Sequence, residues 1–118
     1  MVATLYERIA KQMAEELLRE DHGGEVSLPE VNLLMKRYRT TKSTIERALL
    51  LLKQRQVLEE QQGVLVLTTD PEARRRLQEA LVLQEATELF RRAREFHLAD
   101  DRIVGLILMA GGYDGAQG

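Results

Sequence analysis

The sequence predicts a mainly α-helical protein, a winged helix-turn-helix with a small β-hairpin, followed by further helices. Apolar residues recur at helical spacing on both sides of a short turn within residues 28–55. Two short apolar runs around Gly63 follow, as expected for a hairpin. We therefore expect a winged helix-turn-helix over residues 1–69, a two-helix region over 70–112 and a flexible tail over 113–118.

The first two helices are predicted from amphipathic spacing and from residues typical of helix ends. A helix over about residues 3–20 has an apolar stripe that includes Ile9 and Met13. Pro29 suits the first turn of a second helix, where a missing N–H costs nothing. A turn at residues 39–40 then leads to Thr41, whose hydroxyl can cap the third helix.

The third helix and the hairpin complete the predicted winged domain. A buried stripe running to about Gln54 consists of Ile45, Ala48, Leu49 and Leu52. Residues 57–60 and 64–67 are expected to pair as strands, with Gly63 at the positive-φ position of the turn between them.

The sequence of the C-terminal region predicts two helices with a large apolar surface. Asp70 and Pro71 favour a helix start, and that helix is expected to end near Phe96. Asp100 is expected to cap a last helix through Met109. Two short helices cannot bury this much apolar surface alone, so the surface either packs on the first helix or is covered by a twofold partner, and we expect a homodimer. The candidate dimerisation residues are Leu77, Leu81, Leu89, Phe90, Ile103 and Ile107.

Charge is distributed unevenly along the chain of 118 residues. Seven bases and one acid give residues 36–55 a charge of +6, whereas the whole chain has −2 and the rest therefore −8. A local basic segment of this kind indicates binding to double-stranded DNA, because phosphate neutralisation dominates that affinity. We call residues 36–55 the basic segment.

Other classes of function have no support in the residues. The chain has no Cys, its two His are far apart, and no nucleophile or phosphate-binding motif is present. We therefore expect no enzyme activity, no metal and no cofactor. No apolar run approaches the ~20 residues that cross a bilayer, and no signal peptide precedes the first helix, so a cytoplasmic protein without membrane partners is expected.

The candidate DNA-binding residues fall into three groups. Side chains expected beside phosphates are Lys36, Arg37 and Arg39, and those expected at the major groove are Thr41, Lys42, Ser43, Thr44, Glu46 and Arg47. The tip of the wing, Gln62 and Gly63, either contacts DNA or is purely structural. Glu46 either accepts a hydrogen bond from cytosine or is a solvated acid paired with a neighbouring base.

Three segments resemble the winged-helix domain of the GntR family of bacterial transcription regulators. They are LPEVNLLMKRY, TTKSTIERALLLLKQRQVL and EEQQGVLVL, and the short C-terminal region is similar to the YtrA-like subfamily. The resemblance implies a homodimeric regulator, a repressor, on a pseudo-palindromic operator. The family's customary cations are replaced by Asn32, Glu46 and Val64. The alternative is therefore a winged-helix protein with a degenerate DNA surface that serves as a protein-interaction module.

Overall fold

The computed structural model describes residues 3–113, which divide into two compact units at the boundary between Glu79 and Ala80. We call them the winged unit and the C-terminal unit. The helices are α1 (Leu5–Arg19), α2 (Val31–Tyr38), α3 (Lys42–Gln54), α4 (Pro71–Glu95) and α5 (Asp100–Ala110), and the strands are β1 (Leu58–Gln61) and β2 (Val64–Leu67). This architecture confirms the predicted fold class. Of the predicted tail at 113–118, residues 114–118 lie outside the described residues.

Helix α1 begins at a reciprocal cap between Thr4 and Glu7. The Thr4 hydroxyl accepts from the Glu7 N–H at 3.3 Å, while the Thr4 N–H donates to the Glu7 carboxylate at 3.1 Å. Two otherwise unpaired backbone donors are satisfied in this way. Ile9, Met13 and Leu17 then lie one helical turn apart and are buried, as their spacing predicts.

The turn between α2 and α3 has the predicted position. Arg39 ends α2 in the left-handed conformation, with φ 52°, and the Thr41 hydroxyl accepts from the Thr44 N–H at 3.3 Å. The prediction for Pro29 is wrong, because α2 begins two residues later at Val31 and its N-cap is Glu30, which makes no side-chain cap hydrogen bond.

The core of the winged unit joins α1, α2, α3 and the hairpin. Its fully buried side chains include Met13, Leu34 and Ile45. Ala48 of α3 is also fully buried, and its small side chain allows the helices to approach closely. The core therefore holds the outer face of α3 at a defined orientation on the winged unit.

The wing is an antiparallel hairpin in which Leu58 pairs with Leu67 and Gln61 with Val64. Its two turn residues, Gln62 and Gly63, both have positive φ, at 52° and 80°. Such a two-residue turn matches the twist of the flanking strands. Ser27 adds a single antiparallel bridge to β2 at Val66.

The start of α4 is tied to the rest of the winged unit by Arg74. Its guanidinium lies 2.7 Å from the Asp21 carboxylate, and its Nε donates to the Thr68 carbonyl at 2.6 Å. Both charged side chains are only 16% exposed. Asp70 accepts from the Glu72 N–H, so the predicted cap of α4 is confirmed.

The C-terminal unit contains the last part of α4 and the whole of α5, with Ala93 and Ile103 buried. The predicted cap of α5 is wrong. Its N-cap is Ala99, and the Asp100 carboxylate instead accepts two hydrogen bonds from Arg94, at 2.9 and 3.0 Å. Because the guanidinium offers two aligned donors, it outcompetes a single backbone N–H for that carboxylate.

Candidate nucleic-acid interface

The outer face of α3 consists of exposed side chains that lie opposite the buried stripe. Lys42, Ser43, Glu46 and Arg47 are all exposed, whereas Ile45 is fully buried. The Thr41 hydroxyl lies 3.0 Å from the Thr44 hydroxyl and caps the helix. A capped helix that presents polar side chains at its N-terminal turns has the geometry with which recognition helices enter a major groove.

Two cations beside α3 have no partner among the side chains of residues 3–113. Lys36 lies in the last turn of α2 and is exposed, and Arg39 is exposed at the left-handed end of that helix. A cation without an intramolecular acid can neutralise a phosphate without first losing an ion pair. Lys36 and Arg39 are therefore the most available of the predicted phosphate contacts.

Arg37 forms an ion pair with an acid of α1. Its guanidinium lies 3.5 Å from the Glu16 carboxylate, which also accepts from the Tyr38 hydroxyl at 2.6 Å. Burial, followed by the hydrogen bond to Glu16, raises the pKa of Tyr38 well above its usual range, so the phenol stays protonated as the donor. The sequence pattern had grouped Arg37 with Lys36 and Arg39, whereas the structure separates it from them.

The three charged groove residues, Lys42, Glu46 and Arg47, also have intramolecular partners. Lys42 lies 3.8 Å from the Glu46 carboxylate, and both side chains are more than half exposed. The ion pair is the alternative that the sequence left open for Glu46. The Arg47 guanidinium lies 5.9 Å from the centroid of the Tyr6 ring, a cation–π contact that directs it toward α1.

The end of the basic segment is likewise balanced by acids. Lys53 lies 3.8 Å from Glu60 of the wing. Arg55 is close enough to Glu7 to help lower the pKa of that carboxyl, although the hydrogen bonds from Thr4 are the larger cause. The charge of +6 counted along the sequence is therefore partly compensated in space.

The tip of the wing is polar but has no cation. Gln62 and Gly63 are exposed at the turn. In the adjoining strand, the Glu59 carboxylate accepts from the Thr69 hydroxyl at 2.8 Å and from the Gln61 amide at 3.0 Å. These bonds, those from Thr69 first, lower the pKa of Glu59 and keep it ionised. The geometry thus favours a structural wing over one that binds phosphate.

Comparison with known proteins identifies the fold. No family model matches the chain, and no curated protein matches it. A GntR family transcriptional regulator from Listeria monocytogenes superposes with a TM-score of 0.74 at 17% sequence identity, covering 89% of this chain and 93% of its own. The chain has the fold of GntR-family transcription regulators. This confirms the fold expected from the resemblance.

Two further solved structures share this GntR-type fold. YtrA from Sulfolobus acidocaldarius, a GntR-family transcription factor, has a TM-score of 0.52 and 18% identity, covering 95% of this chain and 91% of its own. S. agalactiae BusR, solved in complex with its busAB-promotor DNA, has a TM-score of 0.53 and 15% identity, covering 92% of this chain and 57% of its own. YtrA is the protein whose subfamily the C-terminal region resembles.

The six candidate dimerisation residues occupy different environments in this GntR-type fold. Leu77 packs against the core of the winged unit and Ile103 is buried in the C-terminal unit, so neither presents a free surface. Leu81 and Phe90 are half-buried, and the Phe90 ring lies 5.3 Å from the Arg94 guanidinium. Only Leu89 and Ile107 are exposed.

The structure adds exposed apolar residues that the sequence had not singled out as dimer contacts. In α4 they are Val82 and Leu83, just after α4 there is Phe96, and in α5 and beyond they are Val104, Leu106, Leu108, Met109 and Tyr113. The seven-residue spacing of Val82, Leu89 and Phe96 was the available signal, since this repeat is typical of a helix that pairs with another.

Other kinds of site are not prominent in the described chain. Within residues 3–113, no group of three His, Asp or Glu side chains is placed to hold a metal ion. A cleft of about 110 Å³ beside α1 is lined in part by Glu16, Leu28 and Arg37. Its volume is well below the ~300 Å³ at which small-molecule pockets begin. Among the described helices, none has the length and apolar character required to span a membrane.

Proposed function

We propose that this protein is a sequence-specific DNA-binding transcriptional regulator that acts as a homodimer on a pseudo-palindromic site. The outer face of α3 carries the proposal, because its exposed polar side chains stand beside the unpaired cations Lys36 and Arg39. S. agalactiae BusR, which shares the fold, was solved with promoter DNA. We further propose that occupancy of the site represses transcription, with the protein in the cytoplasm.

Selection of bound fragments from a random duplex library tests the proposal. The purified protein should enrich a motif with twofold symmetry, because a symmetric dimer presents two copies of α3. Lys42→Ala and Arg47→Ala should weaken binding to that motif. Arg75→Ala is the matched control, since Arg75 is an exposed cation of α4 that pairs with Glu72 at 2.6 Å. Equal loss in all three variants, or no enriched motif, would contradict the assignment.

The proposed homodimer rests on the exposed apolar surface of the C-terminal unit. Phe96 is 71% exposed, and a surface of this kind is normally covered by a partner. Leu89→Glu and Phe96→Glu should convert the dimer to monomers in sedimentation equilibrium. Gln84→Glu places the same acid at an exposed polar position of α4 and should leave the dimer intact. A wild-type monomer at micromolar concentration would refute the proposal.

A second candidate function is a protein-interaction module with a degenerate DNA surface. The specific observation in its favour is that Arg37, Lys42 and Lys53 already have acidic partners and that the wing tip has no cation. This candidate predicts no enriched motif and no measurable duplex binding even at about 50 mM salt, where phosphate contacts are strongest. The two functions are therefore separated by one titration.

A further inference from the structure

Leu50 is an exposed leucine on the outer face of α3. Its side chain is 54% exposed. Ser43, Arg47 and Gln54 lie one or two helical turns away on the same face, and all three are exposed and polar. Leu50 is therefore an apolar position in the middle of an otherwise polar stripe that we assign to DNA.

The winged unit does not need Leu50 for its core. Ile45, Ala48, Leu49 and Leu52 form the buried side of the same helix. Single exposed leucines are common and by themselves indicate nothing. The position of Leu50 carries the argument, because it follows Glu46 and Arg47 by one helical turn on the face that would enter the groove.

The major groove offers one apolar partner to such a side chain. In that groove guanine presents two acceptors, adenine an acceptor and an amino group, cytosine an amino group, and thymine an acceptor and the C5-methyl group. An apolar side chain placed beside the polar base edges removes their hydration and offers no hydrogen bond in return. Beside the thymine methyl group it instead makes an apolar contact. An apolar contact therefore distinguishes thymine from the other three bases.

We propose that Leu50 is a specificity-determining residue that contacts the C5-methyl group of a thymine in each half-site. This inference rests on the proposed function and deepens it, since it names the base chemistry that the third turn of α3 recognises. It also extends base recognition beyond the residues expected at the N-terminal turns of the helix.

The expected effect follows from the area of one methyl group. Burial of a methyl or methylene group corresponds to about a fourfold change in the dissociation constant. Replacement of the contacted thymine by uracil removes only that methyl group. The wild-type protein should therefore bind the uracil duplex about fourfold more weakly for each half-site that carries the substitution.

The experiment combines base and side-chain changes. A duplex enriched by the wild-type protein is resynthesised with uracil at each thymine in turn, and affinities are measured by fluorescence anisotropy. One position per half-site should show the fourfold penalty with the wild type and none with Leu50→Ala. Leu33→Ala is the matched control, because Leu33 is similarly exposed, at 51%, but lies on α2. It should retain the penalty.

The outcomes separate this inference from the proposed function. An enriched motif with no uracil-sensitive position, or an equal penalty in Leu50→Ala, overturns the role of Leu50 and leaves DNA binding intact. Failure of the wild-type protein to enrich any duplex overturns both, as expected if Leu50 instead docks a protein. Because Leu50 is exposed, Leu50→Ala should retain the wild-type thermal midpoint, and a large drop would assign the leucine to packing.

Discussion

The salt dependence of duplex binding tests how many cations of the basic segment are available to DNA. Each phosphate that a protein neutralises contributes a slope of about −0.9 to a plot of log affinity against log salt concentration. The segment contains seven bases, so a homodimer that used all of them would have a slope near −13.

The structure predicts a much smaller slope. Lys36, Arg39 and Arg47 have no acidic partner within residues 3–113, whereas Arg37 is paired with Glu16. A cation that must leave a carboxylate gains little net neutralisation, because the acid then recruits its own counterion. Three cations per subunit give a slope of about −5 for the dimer.

Variants at neighbouring residues of α2 provide the decisive comparison. Lys36→Ala should reduce the magnitude of the slope by about 2 for the dimer, while Arg37→Ala should change it by less than half as much. Anisotropy titrations between about 50 and 200 mM salt on one fixed duplex measure both. A wild-type slope near −13, or equal changes in the two variants, would refute the argument from ion pairing.

Three further predictions concern the stability of the winged unit. Thr41→Ala removes the cap of α3 and should lower the free energy of unfolding by about 1 kcal/mol in urea titration. Arg74→Met removes the hydrogen bonds to two carbonyls and the ion pair with Asp21, and should lower Tm by about 5 °C or more, whereas Arg75→Met, at an exposed pair, should not. The hydrogen bond from Gly23, the largest cause, lowers the pKa of Asp21 below its usual 3.8. The ionised Asp21 carboxylate therefore stabilises the fold above pH 3.8, and this stabilisation is lost as the pH falls further. Asp21→Asn should make the free energy of unfolding less dependent on pH in this acid range.

Local signals predicted most of the fold because they act over a few residues. The Thr41 cap, the positive φ of Gly63 and the buried stripe of α3 all depend on neighbours within one or two turns. Asp100 is the exception among caps, since Arg94 captures its carboxylate from the preceding helix. A sequence pattern identifies a suitable cap but not its competitors.

The candidate site was less predictable because tertiary contacts determine which of its charged side chains are paired. Arg37 and Glu16 are far apart in sequence and meet only when α1 and α2 both pack against α3. The same holds for Arg47 and Tyr6. No periodicity in the chain signals either contact. Counting charge along a segment therefore overstates the charge that the folded surface offers to a phosphate.

The ion pair between Lys42 and Glu46 gives the acid within the basic segment a physical role in the proposed complex. The pair is exposed and weak, so a phosphate can compete for Lys42, and this exchange adds little to the salt slope because it leaves the Glu46 charge uncompensated. Once Lys42 has moved, Glu46 is an unpaired carboxylate in a strongly negative groove, which is unfavourable unless a base supplies a donor. In the major groove only the amino groups of cytosine and adenine can supply that donor. The base opposite Glu46 in selected duplexes should therefore be restricted to these two, and a random base there would show that the ion pair survives binding.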